Sequence, residues 1–201
     1  MDDHLVRIFL PIYFLIYFGI TFVAKIIIVR KKIGKNPMVL PTNDTPYGLI
    51  GTYFRATILS LCAYISVYSL LPQYYYAFAP IKFLEQNTIQ YLGVALLLTA
   101  LLLTTLAQNN MRTSWRIGID TNTHTELITD KLFRYSRNPI YLGILLALLG
   151  LFALTPNAAT LFFLLFGYVL MQIQIRMEEE HLTRLHKQTY TDYQSKTRRW
   201  L

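Results

Sequence analysis

The stretch "YLGVALLLTALLLTTLA", residues 91–107, contains no charged side chain. The hydrocarbon core of a bilayer is roughly 30 Å thick, and a helix needs about 20 apolar residues to cross it. Extended to 88–107, this run is long enough. A membrane strand would alternate apolar and polar positions, whereas this run is continuous, so it predicts a helix. The same test applied outward finds 8–29 and 50–71, the latter holding one arginine, Arg55. Two shorter runs, 139–154 and 158–175, flank Thr155-Pro156-Asn157, which predicts a tight turn and hence a helical hairpin. The expected fold is an all-α integral membrane protein with about five transmembrane helices and a cytoplasmic C-terminal helical tail. It forms one domain over 1–201. Three N-terminal helices fill 8–107, and a loop, the hairpin and the tail fill 108–201. No repeat of 20–50 residues interrupts this plan.

The composition agrees: 54% of the 201 residues are hydrophobic and only 15% are charged. A net charge of +8 raises the question of nucleic acid, but the basic residues are distributed otherwise. Four lie in 30–48, five in 108–138 and six in 176–201, against a chain total of 19. Connection 72–87 carries only Lys82. With five helices the three basic segments share one side, and the positive-inside rule makes that side the cytoplasm. The N-terminus is then outside and the C-terminus inside. The opening "MDDHLVRIFL" lacks the basic start of a signal peptide and predicts an uncleaved first helix. Lys25, near a helix end, is expected to snorkel to the interface. The lone Cys62 is expected to be a small buried apolar residue, and no metal site is expected.

Polar residues crowd the cytoplasmic ends of the last two helices. In "RYSRNPIYLG", residues 134–143, Asn138 is a good helix cap and Pro139 suits the first helical position. The start of that helix offers free N–H groups, and with Arg137 it suits a carboxylate or phosphate. Tyr135 and Tyr141 add aromatic surface. Gly143, Ala147 and Gly150 form a small face, expected to pack against Gly167 of the next helix. In "RMEEEHL", residues 176–182, Tyr168, Gln172, Arg176, Glu179 and Thr183 share one helical face, and Gln174 and Glu178 form a neighbouring line. Such groups near lipid are functional candidates, although Arg176 can also snorkel. Glu180, His181 and His186 read as solvated surface. Arg55, the most deeply placed arginine, suits an acceptor carrying a carboxylate or phosphate.

These motifs, followed by "TYTDY" and "RRWL", resemble the isoprenylcysteine carboxyl methyltransferase family and the related phospholipid N-methyltransferases. The matching residues are Arg137, Pro139, Tyr141, Gly143, Glu178, Glu179, Leu182, Tyr190 and Tyr193. The segment "HTELIT", 124–129, resembles an upstream family motif and adds Thr125 and Leu127. Asn138 stands where the family has His, and Thr125 stands where the upstream His would be, with His124 one position off. The resemblance implies S-adenosylmethionine as methyl donor, leaving S-adenosylhomocysteine as product. It implies a lipophilic acceptor from the bilayer, a carboxylate or a lipid amine, with membrane lipids as surroundings and no nucleic acid. The setting implied is a bacterial or archaeal plasma membrane. Cofactor-binding residues are expected at Thr125, Leu127, Tyr135, Arg137, Asn138, Pro139, Tyr141, Glu178 and Glu179. Arg55, Arg176 and Glu179 are expected at the chemistry. Arg137 and Glu179 are expected on opposite walls of one pocket, facing the donor's carboxylate and ammonium. A reductase on a related scaffold and a non-enzymatic lipid- or partner-binding protein are the competing readings.

Overall fold

The computed structural model describes residues 2–120 and 125–201, so His124 falls outside the described residues. Helix α1, Asp3–Phe18, is capped by Asp2, whose carboxylate accepts from the His4 N–H at 3.0 Å. It passes through a π-helical segment, Gly19–Ala24, into α2, Lys25–Ile33. Gly34 ends α2 in the left-handed region, φ 71°, where glycine avoids the penalty a Cβ would bring. Helix α3, Pro46–Leu70, starts at Thr45, whose hydroxyl accepts from the Gly48 N–H at 3.0 Å. Helix α4 is Asn87–Asn110, α5 is Pro139–Leu154, α6 is Ala158–His186 and α7 is Gln188–Lys196. Among the described residues there is no strand beyond two isolated bridges.

Four helical segments are long and apolar enough to cross a membrane: Asp3–Ile33, Pro46–Leu70, Asn87–Asn110 and Ala158–His186. This makes the chain an all-helical membrane protein. Helix α5 has 16 residues, about 24 Å at 1.5 Å per residue, and falls short of the roughly 30 Å core. Helix α6, at 29 residues, runs about 43 Å and projects beyond it. Its apolar part ends at Ile175, so residues 176–186 stand outside the spanning stretch.

The connections sort to two ends. At one end the Ile81 N–H donates to the Pro156 carbonyl at 2.8 Å, joining the α3–α4 connection to the α5–α6 turn. Arg7, near the N-terminus, donates to the Tyr68 carbonyl at 2.7 Å at the same end. At the other end the Val39 N–H donates to the Ile117 carbonyl at 2.9 Å, which joins the 34–45 and 111–120 loops. The C-terminal tail folds against residues 133–138 there. The basic segments are therefore gathered at one end of the bundle.

Helix α5 packs most intimately on α4, not on α6. A Cβ added to Gly150 would stand 2.9 Å from the Gly93 carbonyl oxygen, and one added to Gly143 would collide with Thr104. Gly167 instead receives the tip of Leu148, 2.6 Å from an added Cβ. The small face of Gly143 and Gly150 thus serves a different neighbour from the one expected.

Helix α1 reaches α4 through polar groups. The Tyr13 hydroxyl donates to the Leu97 carbonyl at 2.7 Å, and Gln108 Nε2 donates to the Thr21 carbonyl at 2.9 Å within the π segment. A π turn frees carbonyls from the regular ladder, and the glutamine satisfies one of them. Lys25 does not snorkel; it is buried, and its ammonium donates to Asn109 Oδ1 at 3.2 Å. Cys62 is exposed on the outer face of α3, contrary to the expectation of burial.

Candidate functional site

The start of α5, the loop before it, the end of α6 and α7 enclose a cleft. Its cavity volume is about 120 Å³, and it opens to solvent at its mouth. Thr125, Leu127, Arg137, Asn138, Pro139 and Tyr141 line it together with Glu178 and Glu179. Three expected residues do not. Tyr135 points away and is 66% exposed. The Arg55 guanidinium donates to the Leu40 and Pro41 carbonyls, at 2.5 and 3.2 Å, and so ties down the loop before α3. Arg176 lies on the exposed side of α6 and donates to Gln172, one turn back, at 2.6 and 2.8 Å.

The two glutamates are held in different ways. Arg137 donates to Glu179 Oε1 from Nη2 at 2.8 Å and from Nε at 3.1 Å. Arg199, from the C-terminal "RRWL", donates to Glu179 Oε2 from Nη2 at 2.6 Å. Arg137 and Glu179 are therefore in contact and do not stand on opposite walls. Arg137 also donates to the Gln194 and Thr197 carbonyls from Nη1, and its backbone N–H donates to the Arg198 carbonyl at 2.9 Å. Arg137 thus latches the tail to the α5 start.

Glu178 has neutral partners. The Tyr141 hydroxyl donates to its Oε1 at 2.6 Å, and Gln174 Nε2 donates to the same oxygen at 2.9 Å. Burial raises the Glu178 carboxyl above the ordinary carboxylate range, and those two bonds offset it only in part. Burial pushes Glu179 the same way. There the hydrogen bonds from Arg199 and Arg137, with their charges, win and hold it below that range. The bond to Glu179 in turn raises Arg199. Glu180 is exposed and pairs with Arg184 at 3.7 Å, as a solvated residue should.

Asn138 occupies the N-cap position of α5, but its side chain makes no capping bond. Its Nδ2 donates to the Arg199 carbonyl at 3.1 Å, so it serves the tail latch. The first-turn N–H groups of Ile140 and Tyr141 have no intrahelical acceptor, as at any helix start. Both residues line the cleft. Phe133, Tyr190 and Tyr193 supply further aromatic surface, and the Tyr193 hydroxyl donates to the Phe133 carbonyl at 2.5 Å.

Arg199 has no counterpart among the expected site residues. The signal for it is weak but physical: one of three consecutive glutamates is buried and needs more cation than Arg137 alone supplies. Gln174 was visible as a polar position in an apolar run. Its bond to Glu178 depends on the i, i+4 spacing within α6.

The structure defines a helical membrane bundle with a cleft at one end, lined by carboxylates, an arginine and aromatic side chains. The sequence model of the phospholipid methyltransferase family matches residues 88–189, from α4 into α7. The chain belongs to the phospholipid methyltransferase family and is a membrane methyltransferase. None of the curated proteins matches the chain.

Proposed function

We propose that the cleft binds S-adenosylmethionine and that the enzyme methylates a lipophilic acceptor, a carboxylate or a lipid amine, entering from the bilayer. The observation that carries this reading is Glu178, a carboxylate without a cationic partner among the described residues, placed beside the open first turn of α5 in one cleft. These two features match an ammonium and a carboxylate on one small molecule. When bound, S-adenosylmethionine supplies a sulfonium methyl group for direct displacement.

The first-turn N–H groups of Ile140 and Tyr141 take the carboxylate of the ligand, a role that suits a helix start. Glu178 takes its ammonium. Phe133, Tyr190 and Tyr193 wall the aromatic part and exclude water, and α5 and α6 act as a hairpin that holds both halves of the cleft in register. A carboxylate acceptor needs no base. An amine acceptor must first lose a proton. Helix α5 is the fifth, short membrane segment, with the cleft and tail on the cytoplasmic side and the N-terminus outside. A cysteine at Thr42, in a Cys62→Ser background, is expected to resist impermeant thiol reagents in intact cells; labelling from outside reverses the orientation.

Equilibrium binding of S-adenosylhomocysteine to the detergent-purified protein tests the cofactor assignment. Saturable binding, weakened at least tenfold by Glu178→Gln, about 1.4 kcal/mol, is expected. Absence of binding to the wild type removes the reading.

A further inference from the structure

Two adjacent glutamates in α6 have divided partners. Glu179 meets two arginines. Glu178 meets a tyrosine and an amide. We propose that Gln174 is a positioning residue: with Tyr141 it pins one oxygen of Glu178 and leaves the other turned to the cleft for a cationic group of the ligand, while Glu179 serves as the latch for the tail. The proposal rests on the S-adenosylmethionine reading for the identity of the ligand, but not for the role of Gln174 itself.

The surroundings of Gln174 argue against a packing role. It is 2% exposed and sits among Leu170, Met171 and Ile175 on the buried face of α6. An apolar side chain of similar length, such as Met, would fill that space without a polar group to satisfy. Among the described residues the buried amide oxygen of Gln174 makes no well-formed hydrogen bond, and the Tyr47 hydroxyl is its polar neighbour. A buried carbonyl oxygen without a well-formed bond is costly. Against that cost stands the bond from Nε2 to Glu178 Oε1 at 2.9 Å. Both bonds to Glu178 fall on Oε1. Two fixed donors on one oxygen set the rotation of the carboxylate, so Oε2 is the oxygen available to a ligand. Glu178 lines the cleft with two further acids: Glu126 is exposed, and Glu179 is engaged by two arginines.

Among the described residues, the titratable groups coupled to Glu178 come from four elements. They are Tyr47 of α3, Tyr141 of α5, Glu179 beside it in α6, and Tyr190 of α7. None of these described groups is a cation. Arg137 and Arg199 are engaged by Glu179. A ligand bearing a positive charge therefore completes the site. Removing the Gln174 donor disfavours the ionised form of Glu178 and must move its titration to higher pH.

The test uses S-adenosylhomocysteine as probe, with the full-length protein in detergent, over roughly pH 4 to 8, where carboxylates with raised values titrate. Affinity for the wild type is expected to fall about tenfold per pH unit below the Glu178 midpoint, where only the ionised form binds. Gln174→Met and, independently, Tyr141→Phe are each expected to shift that midpoint upward. Glu178→Gln is expected to remove the pH dependence. An infrared titration of the protonated carboxyl band, which needs no ligand, should show the same upward shift in Gln174→Met. Midpoints unchanged in both Gln174→Met and Tyr141→Phe overturn the positioning role. A wild type that fails to bind the probe while the infrared midpoint still shifts overturns the cofactor reading and leaves Gln174 as the residue that sets Glu178.

Discussion

The Arg137 guanidinium and the Glu179 carboxylate touch, Nη2 to Oε1 at 2.8 Å, although 42 positions separate them in sequence. Arg199 completes the cluster from the far end of the chain, and its own backbone carbonyl accepts from Asn138. The cluster therefore joins the α5 start, the α6 end and the C-terminal tail. It closes one side of the cleft and consumes the charges that looked available for a ligand.

Removing the shared anion should damage this junction more than removing one cation. Glu179→Ala leaves Arg137 largely buried with no carboxylate beside it, a change that commonly costs about 3–5 kcal/mol. Arg199→Ala leaves the Arg137–Glu179 pair intact. Arg199 is 34% exposed, and pairs near solvent are worth about 1 kcal/mol or less. Thermal unfolding of the purified variants should rank Glu179→Ala well below Arg199→Ala, with wild type highest. Equal losses would mean that the tail contributes as much as the buried pair.

The latch should also release in acid. Glu179 is held below its ordinary value, so its stabilising contribution is complete above the unfolded carboxylate pKa, about 4.3. It is lost as pH falls through the lower folded value. Trp200 stacks on Tyr168 with ring centroids 6.4 Å apart and reports the position of the tail. In a Trp115→Phe background, Trp200 fluorescence should hold steady from neutral pH to about 4.3 and change below it. Glu179→Gln should already show the released signal at neutral pH. A transition near neutrality would assign the release to another group.

Asn138 separates two roles that the sequence leaves combined. An N-cap is served as well by Asp as by Asn. The observed bond is a donation from the amide nitrogen to the Arg199 carbonyl, and a carboxylate cannot make it. Asn138→Asp should therefore loosen the tail at least as much as Asn138→Ala, by about 0.5–1.5 kcal/mol, the usual net worth of one hydrogen bond. Protease sensitivity at the C-terminus reads this directly. Wild-type resistance in Asn138→Asp would restore the capping role.

The sequence exposes some of these features and hides others for physical reasons. Long uncharged runs reveal the spanning helices, because lipid admits little else, and the basic residues reveal which loops share an end. The cleft is legible where its walls are local in sequence, as at Arg137–Tyr141 and at Glu178–Glu179. Helical periodicity identifies a face but not its neighbour, so the glycines of α5 could not be assigned to α4. An arginine in a polar run can snorkel, bind substrate or cap a loop with the same sequence signature. Arg55 does the last by holding the Leu40 and Pro41 carbonyls, and Arg176 only reaches back along its own helix. Glu179 fell on the expected buried side, whereas Tyr168, in line with it by spacing, is 42% exposed.

Glycine substitutions in the bundle distinguish the two possible partners of α5. A Cβ at Gly150 would stand 2.9 Å from the Gly93 carbonyl oxygen and 3.0 Å from the Leu97 nitrogen, both backbone atoms that cannot step aside. At Gly143 it would strike the Thr104 hydroxyl, with the Thr104 nitrogen 3.1 Å behind. At Gly167 it would meet only the tip of Leu148, which can change rotamer. Gly143→Ala and Gly150→Ala should each destabilise by about 1–3 kcal/mol through overpacking. Gly167→Ala should be close to neutral, because about 0.5–1 kcal/mol of gained helix propensity offsets a small repacking cost. Thr104→Ala should recover part of the loss in Gly143→Ala, since it removes the nearest colliding atom, and should recover none in Gly150→Ala. The pairwise coupling from a double-mutant cycle is then nonzero for Thr104 with Gly143 and near zero for Thr104 with Gly150. A loss at Gly167→Ala as large as at Gly143→Ala would return the small face of α5 to α6.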